Sequence, residues 1–187
     1  DASEVLLETE TVRGAEQVHI AGFGGHDVID FRALTASDIV DASIVELDAY
    51  GGGGKDTLYG GEGNEYLFGG GAADQLYGGD GADTIDGGSG PDSLYGQKGD
   101  DLLQLYGSDG KYAEGGEGSD LIIGNSATIQ STGDHTILGG PGADTLVGGS
   151  GDDLIDGGDN IDLLRQEVKS NQTLSDTAVS GLGSDTL

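Results

Sequence analysis

The sequence predicts an all-β fold: a parallel β-roll, or β-solenoid, of two short parallel sheets with about 18 residues per coil. Three observations predict it. A nine-residue pattern recurs ten times between Gly51 and Arg165. Each copy joins a glycine-rich hexapeptide to a three-residue segment with an apolar residue at its centre. The composition allows only a thin, repetitive core: hydrophobic residues are 34%, Gly numbers 39 of 187, and Met and Trp are absent.

Glycine stands at about three times its usual share of roughly 7%, yet only two prolines occur, so the chain is neither collagen-like nor a polyproline linker. Against 35 acidic residues there are 7 basic ones, a net charge of −28. Self-repulsion of that size opposes compaction unless cations meet the acids. No basic stripe exists to meet phosphates, so nucleic acid is excluded as a partner. No apolar run is long enough to span a membrane as a helix. Cysteine is absent, so disulfides staple nothing, and bound calcium is the alternative staple for an extracellular chain. Asp1 to Glu10 carries no signal-peptide pattern.

The frames begin at Gly51, Gly60, Gly69, Gly78, Gly87 and Gly96, then at Gly115, then at Gly139, Gly148 and Gly157. Position 2 is Gly except at Gln97, and position 4 is Gly except at Ala72 and Asn160. Position 6 is always acidic: Asp56, Glu65, Asp74, Asp83, Asp92, Asp101, Asp120, Asp144, Asp153 and Asp162. Position 8 is always Leu or Ile: Leu58, Leu67, Leu76, Ile85, Leu94, Leu103, Ile122, Leu146, Ile155 and Leu164. This G-G-x-G-x-D-x-U-x pattern resembles the calcium-binding nonapeptide repeat of the repeats-in-toxin (RTX) family. One frame would carry little weight, but ten, six of them contiguous, are highly specific.

The pattern makes chemical sense residue by residue. Glycines permit positive φ and close backbone approach, so a tight turn can aim several carbonyl oxygens inward. Calcium takes six to eight oxygens from carbonyls and carboxylates alike, and one acid per turn supplies charge. In the three-residue strand that follows, position 8 points into the roll and positions 7 and 9 point out. Two frames close one coil, coils rise by roughly 4.8 Å, and calcium fits between stacked turns. The resemblance implies a right-handed roll in which position-6 carboxylates and turn carbonyls of neighbouring coils share each ion. One edge would then use Asp56, Asp74 and Asp92, and the other Glu65, Asp83 and Asp101. Asp120, Asp144, Asp153 and Asp162 extend both edges, with carbonyls from turns opened by Gly51, Gly60, Gly69, Gly78, Gly87, Gly96, Gly139, Gly148 and Gly157.

Composition alone would favour disorder, but a mere spacer needs no periodic Leu or Ile. Without calcium, stacked carboxylates repel, and one small apolar residue in nine does not offset the ordering entropy. Folding is therefore expected to be coupled to metal binding. Glu65, one methylene longer than Asp, is expected to shift or weaken its site. Asn tolerates positive φ better than Ala, so the Ala72 turn is the more doubtful of the two. Lys55 and Lys98 are expected to face solvent.

Outside the regular frames, Gly22 to Asp30 fits imperfectly, with Asp27 at position 6 and Ile29 at position 8. Residues 1–50 read as irregular solenoid rungs or an N-terminal cap, a separate small β-subdomain being the alternative. The roll proper is 51–165. Its irregular stretches at 105–114 (one frame plus one residue) and 124–138 read as bulges, or else as a boundary between two rolls. Ser180 to Leu187 is a frame cut after position 8, with Asp185 at the acidic position, so 166–187 reads as a loop and the start of a further repeat in a longer protein.

Tyr59, Tyr77 and Tyr95 all hold position 9, eighteen residues apart. They predict an outer aromatic ladder, read either as cross-coil packing or as a surface for glycan or a neighbouring chain. His19, His26 and His135 are scattered without zinc spacing. No nucleophile, base or cleft-lining set can be singled out, so the chain reads as a binder rather than an enzyme. The leading expectation is a structural or adhesive element, in a surface layer, adhesin stalk or filament, that folds on calcium outside a bacterial cell. It would contact copies of itself or neighbouring solenoid domains. The alternative is a secretion and folding accessory domain of an RTX toxin or secreted protease, lipase or epimerase. A third reading, an enzyme built on a β-helix, suffers from the lack of basic residues to hold an acidic polysaccharide.

Overall fold

The computed structural model describes residues 4–6, 17–32, 46–124 and 132–165. Asp185 and the frame around it lie outside the described residues. Numbered along the chain, the first strands are β1 (Glu4–Leu6), β2 (Gln17–Ala21), β3 (Val28–Asp30), β4 (Glu46–Gly53), β5 (Thr57–Tyr59), β6 (Asn64–Gly71), β7 (Gln75–Asp80) and β8 (Thr84–Ser89). They are followed by β9 (Ser93–Lys98), β10 (Leu102–Gln104), β11 (Tyr112–Glu117), β12 (Leu121–Ile123), β13 (Thr136–Pro141), β14 (Thr145–Val147), β15 (Leu154–Asp159) and β16 (Leu163–Arg165).

Odd strands form one eight-stranded sheet and even strands the other, each strand pairing in parallel with the strand two places on. This is the two-sheet solenoid the nine-residue period predicts. The register is set by position 8. Leu58 pairs with Leu76 and Leu76 with Leu94 in one sheet, while Leu67 pairs with Ile85 and Ile85 with Leu103 in the other. All six are fully buried, and with Ile29, Leu47, Ala49, Ala113, Ile122, Ile137, Leu146, Ile155 and Leu164 they make one continuous core. Alternation also turns positions 6 and 1 inward: Asp83, Ile85 and Gly87 are buried, while Thr84 and Asp86 are half-exposed.

The strands that flank both irregular stretches stay paired within the same two sheets. Ala113 of β11 pairs with Leu94 on one side and Ile137 of β13 on the other, and β12 joins β10 to β14. At the N-terminal end, β3 continues one sheet through Ile29 and Leu58, and β2 the other through Val18 and Leu47.

Most turns take positive φ at positions 2 and 4, as at Gly52 (101°) and Gly81 (123°). The three substituted turns comply: φ is 84° at Gln97, 88° at Ala72 and 84° at Asn160. Ala72 is therefore held in a conformation that costs an L-residue roughly 1–2 kcal/mol, because the coils above and below fix the turn.

On the outer face, Tyr59, Tyr77 and Tyr95 stack nearly parallel, at centroid distances of 5.0 and 4.8 Å. Tyr112 continues the row at 5.5 Å with its ring tilted. The Arg32 guanidinium lies 3.8 Å over the other end, on Tyr59.

Candidate metal centre

Register alone gathers the position-6 residues into two rows. The turns that enter the odd strands carry Asp27, Asp56, Asp74, Asp92, Lys111, His135 and Asp153. The turns that enter the even strands carry Glu65, Asp83, Asp101, Asp120, Asp144 and Asp162. Every one of these side chains is buried. The sequence-based division of Asp56, Asp74 and Asp92 from Glu65, Asp83 and Asp101 matches this placement, and Asp27 stands at the head of the first row.

Each aspartate from Asp56 onward is tied in the same way. Its Oδ1 accepts the backbone N–H of the position-6 residue one coil earlier: Asp56 N–H to Asp74 at 2.8 Å, Asp74 to Asp92 at 3.0 Å, Asp83 to Asp101 at 2.8 Å and Asp120 to Asp144 at 2.8 Å. The second oxygen differs. Oδ2 of Asp56, Asp74, Asp83, Asp101, Asp120 and Asp144 is buried and accepts no hydrogen bond. Buried polar atoms are almost always satisfied, so a row of unsatisfied carboxylate oxygens requires a ligand.

The surroundings fit a hard cation. Glycine at position 1 keeps a space open beside Oδ2. A Cβ on Gly51 would stand 2.6 Å from both Asp56 Oδ2 and the Gly69 carbonyl oxygen, and one on Gly69 would meet Asp74 Oδ2 at 2.6 Å and the Gly87 carbonyl oxygen at 2.8 Å. Carboxylate and carbonyl oxygens from successive coils thus converge on one cradle, the mixed oxygen set calcium prefers. Among the described residues no three His, Cys, Asp or Glu side chains gather at one point. Carbonyls must therefore complete any shell, which a single carboxylate per turn leaves open.

Burial also raises the carboxyl pKa values. It lifts Asp83 to about 8, Asp144 to about 7, and Asp74 and Asp101 to about 6, against hydrogen bonds that pull the other way and with neighbouring carboxylates adding to the rise. Glu65 rises too, chiefly through burial, but its longer side chain turns back so that Oε2 accepts Gly61 N–H at 2.8 Å from its own turn.

Two occupants of the first row escaped the sequence analysis: Lys111 and His135. Lys111 becomes visible if Leu105 is taken as the start of a seven-residue turn, and His135 if Thr136-Ile137-Leu138 is read as positions 7 to 9. Lys111 Nζ donates to Asp92 Oδ2 at 2.7 Å, and both side chains are fully buried. Burial, and then the Lys111 charge, push the His135 imidazole down to about 4, so it is neutral at physiological pH. Elsewhere Lys55 is exposed, Lys98 is exposed and pairs with Asp80 at 2.8 Å, and His19 contacts Asp48 at 2.6 Å.

A parallel β-roll with two rows of cation-seeking carboxylates is thus a metal-ligating solenoid. The family model of the RTX calcium-binding nonapeptide repeat matches residues 48–76, 77–110 and 131–164, more than half of the chain. The chain belongs to this calcium-binding repeat family. No curated protein and no solved structure matches it.

Proposed function

We propose that this chain is a calcium-folded structural element of a secreted or surface protein, one that binds and displays rather than catalyses. The carrying observation is that, in both rows, Oδ2 of Asp56, Asp74, Asp83, Asp101, Asp120 and Asp144 is buried without a hydrogen bond. Calcium bound there supplies the positive charge that −28 of protein charge lacks. The residues that would hold it are the position-6 carboxylates of both rows, Asp120 among them, together with carbonyls of the turns they close; Asp27 extends the first row, and Asp92 Oδ2 is already engaged by Lys111. High external calcium fills such sites, whereas scarce calcium inside a cell leaves the carboxylates repelling one another and the chain unfolded.

The uniform repeat supports a rod-like structural or adhesive role over a catalytic one, because the buried position-6 aspartates repeat one turn geometry. Self-assembly through the roll belongs to this reading. The test is a calcium titration of the metal-stripped chain, followed by far-UV circular dichroism and light scattering. A cooperative gain of β signal is expected. Scattering that rises with it supports assembly, and folding without scattering favours an accessory domain of a larger secreted protein. A signal indifferent to calcium would refute the calcium-folded roll.

A further inference from the structure

The position-1 column that faces the first carboxylate row reads Gly22, Gly51, Gly69, Gly87, Leu105, Gly124 and Gly148. Leu105 interrupts it and is fully buried. Its turn, Leu105 to Lys111, has seven residues where Gly87 to Asp92 has six, and it ends on a lysine instead of an acid. Both changes fall in one turn. The leucine fills the space that glycine leaves open, and the lysine brings a charge of the opposite sign. The ammonium reaches back to the preceding turn, donating to Asp92 Oδ2 and to the Gly90 carbonyl. Those are a carboxylate oxygen and a turn carbonyl of the kind that would otherwise ligate calcium. The opposite row departs once in a different way, with apolar Phe31 in the position-1 column and apolar Leu47 in the position-6 column, both buried and neither bringing a charge.

We propose that Lys111 is a built-in counter-ion, its ammonium standing in place of a calcium ion between the Gly87–Asp92 turn and the next. The first row is thereby divided, while the second runs on through Asp101, Asp120 and Asp144. Wherever the roll is folded, the middle of one edge is then closed by its own chain. This inference rests on the calcium-roll reading above and adds to it an asymmetry between the edges.

Two measurements test it on the full chain. In the calcium-folded protein, amine acylation followed by peptide mass spectrometry should modify Lys55 and Lys98 but spare Lys111. Calcium counting by native mass spectrometry should then give at least one further ion when the Leu105–Lys111 segment is replaced by the sequence of Gly87–Asp92. Lys111 reacting as fast as Lys98 in the folded chain would overturn the proposal, whether or not the graft folds. So would an unchanged ion count in a graft with full β signal. A chain that takes up no calcium at all would instead sink the calcium-roll reading, with Lys111 protection read separately in whatever folds.

Discussion

Asp83 shows how one residue reverses its contribution with the state of the roll. Its Oδ1 accepts Glu65 N–H at 2.8 Å, while its buried Oδ2 accepts no hydrogen bond. Without a cation the charged form is penalised, and its pKa sits at about 8. With calcium the same charge is a ligand. Asp83→Asn keeps an acceptor for Glu65 N–H and removes the charge. In calcium it should raise the midpoint of folding and remove an ion from the count. In metal-free buffer at pH 8 it should stabilise whatever roll persists, because the variant has no charge to bury. A variant destabilised equally in both conditions would show that Asp83 acts through packing alone. Ala72 offers a simpler case. At φ 88° its Cβ is the only obstacle, so Ala72→Gly should raise stability by about 1 kcal/mol in calcium, read as a higher thermal midpoint. No gain would mean that the turn relaxes in solution.

At the scale of the strand, the tyrosine row spends its ring faces on itself. Tyr77 is stacked on both sides, Arg32 covers one end and the tilted Tyr112 the other. The faces that would stack on a sugar are thus turned along the roll, which favours the packing reading of the ladder. Tyr77→Ala should cost roughly 1–3 kcal/mol, since each aromatic pair is worth about 0.5–1.5 kcal/mol beyond area burial. Replacing Tyr59, Tyr77 and Tyr95 together should leave any calcium-dependent assembly intact, and loss of assembly with retained β signal would reinstate the ladder as an interface. Strand placement was legible in the sequence because period nine fixes which residue points inward, so Leu58, Leu76 and Leu94 align without further information. Legibility failed where the period slipped. The ladder's fourth ring comes from position 7, because Glu114 holds position 9 opposite Tyr95. Lys111 was hidden by the one residue that lengthens its turn, and His135 by the longer insertion before it. Both became visible only when backbone pairing with β9 and β15 fixed their rows.

For the whole molecule, protons and calcium should compete for the same carboxylates. Folded-state pKa values raised from 3.8 to about 6 at Asp74 and Asp101, about 7 at Asp144 and about 8 at Asp83 mean that the metal-free roll binds more protons than the unfolded chain. Linkage fixes the sign: the stability these groups contribute is fully present below about pH 4 and is lost as pH rises through 6 to 8. Calcium-stripped protein should therefore show more β signal at pH 5 than at pH 8, and calcium binding near pH 7 should release protons. The calcium concentration needed to occupy the sites should rise as the pH falls from 8 to 5, while folding itself needs less calcium, because protons then stabilise the metal-free roll. General repulsion from a charge of −28 acts in the same direction, since acid also neutralises surface carboxylates. The two are separable by salt. The Debye length shrinks to about 3 Å at 1 M, which silences repulsion among exposed charges but leaves buried rows, four to five ångströms from their neighbours in adjacent coils, largely unscreened. A pH dependence that survives in 1 M potassium chloride belongs to the rows. One that vanishes there would assign acid stabilisation to the surface and leave the buried carboxylates ionised even without metal.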